Sequence, residues 1–306
     1  MSFTSPHFDH ITVIGLGLIG GGLVSLIRET YDNDTLKITA VDRDEKTLQL
    51  ALKMNLVNRV SREIPQHFTG KHLVILATHL YSNETLLKEI AARIESDSDV
   101  LVTDIGSVKQ PITSLGHELL PDNFIGGHPM AGREKQGLEH ATSLMFFKRR
   151  FLITPHEQFC NEKLLDRFIQ FLSTIQMIPV TLTPAKHDLN MAYVSHLPQL
   201  YAVVLTNLLA THRPGELLQF QGGGIDDQLR LAASPAEMWA PVYEQNAANM
   251  RIVMDEMIGV LQTMRDGLDD VEHMSEWFKT SNTIHRAYEQ IKRNAQQASA
   301  SVNTLL

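Results

Sequence analysis

An α/β domain with a mainly parallel sheet, followed by an all-α domain, is the architecture this sequence predicts. Three observations carry the expectation. Short Val-, Ile- and Leu-rich runs alternate with helix-like segments as far as Leu182. A glycine-rich turn directly follows the first of those runs, and beyond Pro184 the runs stop and only helical spacing remains. Near-continuous apolar runs bounded by Asp, Gly or Thr are the pattern of strands buried on both faces, as in a parallel sheet covered by helices.

Taken in order, the expected strands are His10–Ile14, Lys37–Val41, His72–Ala77, Val100–Asp104, Phe124–Gly126, Arg150–Thr154 and Ile178–Leu182, with helices such as Asp44–Lys53 and Leu86–Ile94 between them. The second half reads as a long helix over Ala185–Thr211, then helices over Trp239–Met264 and Met274–Arg293. Ser234 ahead of Pro235 reads as an N-cap with proline at the first helical position. The polar tail NAQQASASVNTLL is expected to fray. The domain boundaries follow as 1–182 and 183–306.

Bulk properties bound the function. The chain has 306 residues, and its net charge of −8 comes without a basic block, which argues against nucleic acid as a partner. No apolar run reaches the ~18–20 residues of a membrane span, and the N-terminus MSFTSPHFDH lacks the charge and apolar stretch of a signal peptide. The single cysteine, Cys160, cannot form an internal disulfide, and a cytoplasmic protein is expected.

The chemistry starts at GLGLIGGG. Gly15, Gly17 and Gly20 satisfy G-x-G-x-x-G between a strand and a helix, in the first βαβ unit. The first glycine allows the tight turn, the second lets backbone approach a pyrophosphate, and the third lets helix and strand pack closely. The segment Gly15, Gly17, Leu18, Ile19 and Gly20 is therefore a candidate dinucleotide cradle of Rossmann type. Asp42, 22 residues after Gly20, ends the next strand, where an acid accepts from ribose hydroxyls and favours NAD. Arg43 beside it leaves NADP open. Thr78 follows the third strand where a loop passes under the cofactor, and Asp104, Ser107 and Lys109 follow the fourth. Asp104 and Ser107 also suit a cap on the next helix.

GGHPMAG puts His128 on a Gly-bracketed turn at a strand's carboxyl end, facing the same crevice. A hydride transfer from a carbinol needs a partner for the hydroxyl proton, and an imidazole suits that task near neutral pH. His187 and His196 lie nine residues apart on a helix, half a turn out of register, so they are not a metal-ligand pair. Pro198 is expected to kink that helix or free backbone groups near His196. After three glycines, Asp227 and Arg230 have helical-neighbour spacing; Arg230 suits a carboxylate, or a plain surface pair with Asp227. No metal cluster is expected.

Together GLGLIGG, Asp42, TDIGSVK, GGHPMAG, REKQG, the His187-Asp188 pair, SHLP and the GGG…DxxR…MW run resemble, in order, the prephenate and arogenate dehydrogenases of tyrosine biosynthesis. The resemblance implies NAD-dependent oxidative decarboxylation of prephenate or arogenate, with His128 catalytic and Ser107 orienting it. It implies that Arg230 binds a substrate carboxylate, that Asp227 and Glu134 form an ionic network with it, and that His196 lies near substrate. It implies that Trp239 reaches a partner subunit's site and that the helical domain makes a homodimer. Gln199 replaces a histidine common in prephenate-specific members, which leaves the substrate's side-chain end open. Gly22 stands for a common serine, His79 for a proline and Arg133 for Thr or Ser. Neither a chorismate mutase nor an ACT domain is expected. Two rivals share the glycine loop: β-hydroxyacid dehydrogenases or imine and pyrroline carboxylate reductases, and a non-enzymatic dinucleotide sensor.

Overall fold

A computed structural model describes residues 7–95, 98–132, 135–220 and 222–303. Eight strands form one sheet in the order β3-β2-β1-β4-β5-β6-β7-β8. They are β1 (His10–Ile14), β2 (Lys37–Val41), β3 (Arg59–Ser61), β4 (His72–Leu76), β5 (Val100–Asp104), β6 (Phe124–Pro129), β7 (Arg150–Thr154) and β8 (Ile178–Thr181). All neighbours are parallel except β6 and β7. The chain thus reverses its walk across the sheet between β1 and β4, which opens a crevice at their carboxyl ends.

The helices between strands are α1 (Leu18–Thr30), α2 (Glu45–Lys53), α3 (Leu80–Ala91), α4 (Gln110–Leu119) and α5 (Glu162–Thr174). Then follow α6 (Pro184–Met191), a π turn (Ala192–His196), α7 (Leu197–Ala210), α8 (Pro214–Leu217), α9 (Gly223–Ala232), α10 (Ala236–Gln245), α11 (Ala247–Asp266) and α12 (Val271–Asn303). Five strands carry four or five buried residues each, so both faces of the sheet are core. Phe8, Phe151, Phe168 and Phe171 fill one face with Val13 and Ile27; Val74, Leu76, Ile90 and Phe124 fill the other.

Several sequence expectations need correction. The edge strand β3, RVS, is not among the expected strands because Val60, flanked by Arg59 and Ser61 on a sheet edge, is too short an apolar signal to mark one. β4 stops at Leu76 and β8 at Thr181, one residue short of the expected ends. β6 runs on to Pro129, so His128 lies in a strand, opposite Leu152 of β7, and not on a turn. The antiparallel β7 holds a Gly-Gly-His-Pro stretch extended where local propensity alone would bend it. Pro235, not Ser234, holds the cap position of α10 in extended backbone, and the Ser234 hydroxyl donates back to Leu231. The expected 239–264 helix breaks at Asn246, and the last helix runs on to Asn303.

The chain divides into two compact units, Met1–Met250 and Arg251–Leu306. The first holds the whole sheet and α1 to α10. The second holds most of α11 and all of α12, with Ile258, Leu261, Phe278, Ile284 and Ile291 exposed. Among the described residues, no helix is long and apolar enough to cross a membrane.

Candidate active site

The glycine loop follows β1. Gly15 has φ +97°, a left-handed conformation that favours glycine, and a Cβ there would lie 2.6 Å from the Ala77 carbonyl oxygen. A Cβ on Gly20 would lie 2.2 Å from the Gly15 carbonyl oxygen. These two glycines are explained by packing. Gly17 is not: a Cβ there would meet nothing within 4 Å, and Gly17 caps α1, whose first backbone N–H groups point outward there. Open space over a helix N-terminus fits an anionic pyrophosphate. Leu18 is buried as the first residue of α1 and Ile19 is half-buried. At Gly22 a Cβ would stand 2.6 Å from the Phe146 ring, so the packing there suits glycine.

Asp42 is bound to the same loop. Its carboxylate accepts from Leu16 N at 2.8 Å and Asp44 N at 2.9 Å, one on each oxygen, and each oxygen keeps a lone pair for a ribose hydroxyl. Arg43 is exposed beside it. Across the switch point, the Thr78 hydroxyl donates to Asn83 Oδ1 at 2.7 Å.

At the ends of β5 and β6 a buried ionic knot fixes the backbone. Lys109 Nζ, fully buried, donates to Asp104 Oδ2 and to the Gly127 carbonyl at 2.8 Å. Asp104 also accepts from Gly106 N at 2.8 Å and Gly127 N at 3.3 Å. Burial lowers the Lys109 pKa, and Asp104 opposes that shift. Neither Asp104 nor Ser107 caps α4. Asp188, from α6, does so across the fold: its two oxygens accept from Lys109 N at 2.7 Å and Gln110 N at 2.8 Å. Ser107 lies half-buried in the turn between.

His128 joins this cluster. Its Nδ1 lies 2.9 Å from His187 Nε2, and His187 Nδ1 lies 2.7 Å from Asp188 Oδ1. A carboxylate only accepts, so His187 Nδ1 carries a proton. Burial lowers the His187 pKa despite Asp188, so the ring is neutral and its Nε2 accepts. His128 Nδ1 therefore donates, and its Nε2 keeps the lone pair. Burial, reinforced by His187, Lys109 and His196, holds His128 well below the ordinary imidazole value. The result is a neutral base at neutral pH.

His196 ends the π turn, buried, with Nδ1 3.1 Å from Asn246 Nδ2. Burial lowers its pKa to about 4. The nine residues separating it from His187 would place the two on opposite sides of an α-helix at roughly 100° per residue. The π turn underwinds that stretch, and Asn246 links both: its Nδ2 also donates to the Asp188 carbonyl at 2.8 Å. The Trp239 ring packs edge-on to His196 of its own chain at 6.0 Å and stacks on Tyr243, whose hydroxyl donates to the His196 carbonyl. Gln199 is buried and spends its amide on the Leu231 carbonyl at 2.7 Å, tying α7 to α9. Arg230 and Asp227 on α9 are exposed and pair at 3.5 Å. Glu134 and Arg133 lie outside the described residues.

His128, His187 and His196 thus converge with Lys109, Asp188 and Asn246. Sequence reasoning assigned no role to the last three. Lys109 had a signal in TDIGSVK, and Asp188 in its place after His187. Asn246 had only a polar residue inside a helical pattern.

A family model described as "Prephenate dehydrogenase, nucleotide-binding domain" matches residues 28–191, and "Prephenate dehydrogenase, dimerization domain" matches 183–280. The chain is similar to a prephenate dehydrogenase of Bacillus subtilis, 27% identical over 281 residues, which are 89% of this chain and 74% of that one. It is similar to a cyclohexadienyl dehydrogenase of Zymomonas mobilis, 25% identical over 286 residues, 92% of this chain and 96% of that one. A solved prephenate dehydrogenase from A. aeolicus, in complex with hydroxyphenyl propionate and NAD+, has the same fold, with TM-score 0.84, 23% identity and coverage of 92% and 98%. With more than half of its residues matched by the nucleotide-binding model alone, the chain belongs to the prephenate dehydrogenase family.

Proposed function

We propose that the protein oxidises and decarboxylates prephenate with NAD, giving 4-hydroxyphenylpyruvate and carbon dioxide. The observation that carries this reading is the His128–His187–Asp188 chain at the carboxyl end of β6, in the sheet that presents the glycine loop. Bound NAD supplies the hydride acceptor. Gly15, Gly17, Leu18, Ile19 and Gly20 cradle its pyrophosphate, Asp42 takes the ribose hydroxyls, and Thr78 and Ser107 line its path.

The chain's own residues supply proton handling and orientation. His128 Nε2 accepts from the ring hydroxyl while the carbinol C–H bond breaks and positive charge grows on that carbon. Asp188, acting through His187, stabilises the charge gained by His128. The C–CO2 bond then breaks, its electron pair stays in the ring, and aromatisation drives the step. The proton returns to the phenol oxygen, so atoms and charge balance without a metal. Arg230 holds a substrate carboxylate, with Asp227 and Glu134 in its ionic network. His196, Gln199 and Trp239 complete the substrate side, while His187, with both ring nitrogens engaged, serves the site through His128.

In this reading residues 1–182 bind the dinucleotide and 183–306 bind substrate and form a cytoplasmic homodimer. The dimerization-domain match from residue 183 and the exposed apolar residues of α11 and α12 support self-association. The β-hydroxyacid alternative relies on a helical-domain lysine, and Lys186 is exposed while His187 and His196 are buried.

The test is reduction of NAD by prephenate, with arogenate and with NADP as parallel arms. Activity with prephenate is expected, and His128→Asn should lower kcat ~10²–10⁴-fold. No reduction with either substrate or dinucleotide sinks the reading. The arogenate arm decides what Gln199 permits.

A further inference from the structure

The two histidines that face the site are wired differently, and the wiring meets at one residue. His128 Nδ1 donates to His187 Nε2, and His187 Nδ1 donates to the Asp188 carboxylate. His196 Nδ1 faces the amide of Asn246. That amide has a fixed orientation. Its Nδ2 also faces the Asp188 carbonyl at 2.8 Å, and a carbonyl only accepts, so the nitrogen and not the oxygen points there. Its Oδ1 accepts from Asn249 Nδ2 at 2.8 Å, which agrees. The second N–H of Asn246 then donates to His196 Nδ1, and the His196 proton lies on Nε2.

We propose that Asp188 and Asn246 are positioning residues that hold His128 and His196 in opposite tautomers, one presenting a lone pair and the other an N–H to the substrate. Asp188 anchors both arms, with its carboxylate on the His128 side and its backbone carbonyl on the His196 side. The inference rests on the dehydrogenase reading for its consequence but not for its geometry. His196 Nε2 is buried with no hydrogen-bond partner among the described residues, and Trp239 Nε1 beside it is in the same condition. A buried donor without a partner costs free energy, and a ligand acceptor relieves it. The pair therefore selects polarity. The group at His128 must bring a proton, as a carbinol does. The group at His196 must bring a lone pair, as a ketone or carboxylate oxygen does. An ammonium group against the His196 N–H finds no acceptor.

The break between α10 and α11 is what makes this possible. Asn246 leaves helical geometry at φ −106° and ψ 20°, and its side chain is buried. A continuous helix over 239–264 would carry the amide elsewhere around the axis.

The experiment is imidazole-¹⁵N NMR on the full-length, substrate-free protein at pH 8, with assignments from His128→Gln and His196→Gln. His128 is expected as the Nδ1–H form and His196 as the Nε2–H form. His128 in the Nε2–H form, or His196 in the Nδ1–H form, overturns the proposal in the unmodified protein, whatever the variants do. Asn246→Asp replaces the amide donor with an acceptor, so the His196 proton should move to Nδ1 while His128 keeps its form. In kinetics that variant should raise KM for prephenate about tenfold or more with a smaller change in kcat, the size of one lost hydrogen bond to a charged group. An unchanged His196 tautomer in Asn246→Asp also overturns it. Correct tautomers in a protein without dehydrogenase activity would leave the wiring standing and reject the functional reading instead.

Discussion

Lys109 shows how much a single side chain can hold. Its ammonium lies fully buried between the Asp104 carboxylate and the Gly127 carbonyl, one residue before His128. Two charges taken out of water cost more than a surface pair, and removing one partner leaves the other unpaired. Lys109→Met should therefore lower unfolding free energy by ~3–5 kcal/mol, read as a shift in urea midpoint at unchanged slope. Adding Asp104→Asn should recover part of that loss, because the orphaned charge goes with it. A single variant within about 0.5 kcal/mol of the parent would mean the pair is dispensable. His128 was legible from its glycines and its place toward the carboxyl end of a strand. Lys109 was not, because a lysine after a strand is most often a solvated one, and only burial by α4, α6 and β6 distinguishes it.

At the scale of elements, α1 and its glycine loop separate packing from binding. Gly20→Ala forces a Cβ against the Gly15 backbone oxygen, so the loop must move; a loss of several kcal/mol of stability together with NAD affinity is expected. Gly17→Ala meets no protein atom, so stability should stay within about 0.5 kcal/mol while KM for NAD rises at least tenfold. Melting temperatures beside NAD titrations decide it. A Gly17→Ala protein that binds NAD normally would remove the pyrophosphate from that space. The α6–π–α7 rod makes a related point. Leu197 N donates to the Ala192 carbonyl, one residue further back than in an α-helix, just ahead of Pro198, which has no N–H for the Val194 carbonyl. The sequence announced a disturbance near His196. That it takes the form of a π turn goes with Tyr243 of α10 and Asn246 after it, which hold His196 in place.

For the whole molecule, pH is the informative variable. His72 and His196 both have pKa values lowered to about 4 by burial, and His128 and His187 are lowered as well. Each binds fewer protons folded than unfolded at pH values below its unfolded value, so each contributes stability that is complete above about pH 6.5 and is lost on acidification. For His196 alone the loss by pH 4 is on the order of 3 kcal/mol. Denaturant midpoints should thus fall steeply between pH 7 and 5, and a flat or rising series would contradict neutral burial. The acid limb of kcat/KM belongs to the same physics. It should lie below the ordinary imidazole value, since His128 stays unprotonated further down; a limb above neutrality would assign the base elsewhere. Dimerisation would appear as a melting temperature that rises with protein concentration.

What the sequence determined by itself was local or periodic. Apolar runs marked seven of the eight strands, the turn chemistry of GLGLIG marked the dinucleotide cradle, and the order of motifs marked the family. These signals survive in one dimension because each depends on neighbours a few residues away. The tertiary structure alone decided that His128 lies within a strand rather than on a turn, because Leu152 of β7 pairs with it from 24 residues downstream. It alone set the cap on α4, the burial of Lys109 and the tautomers of His128 and His196. The cap and the tautomers run through Asp188 and Asn246, which reach Lys109 N and His196 across 79 and 50 residues of chain. No local pattern encodes such a contact. Its energy exists only once the core has closed and excluded the water that would otherwise satisfy the same groups.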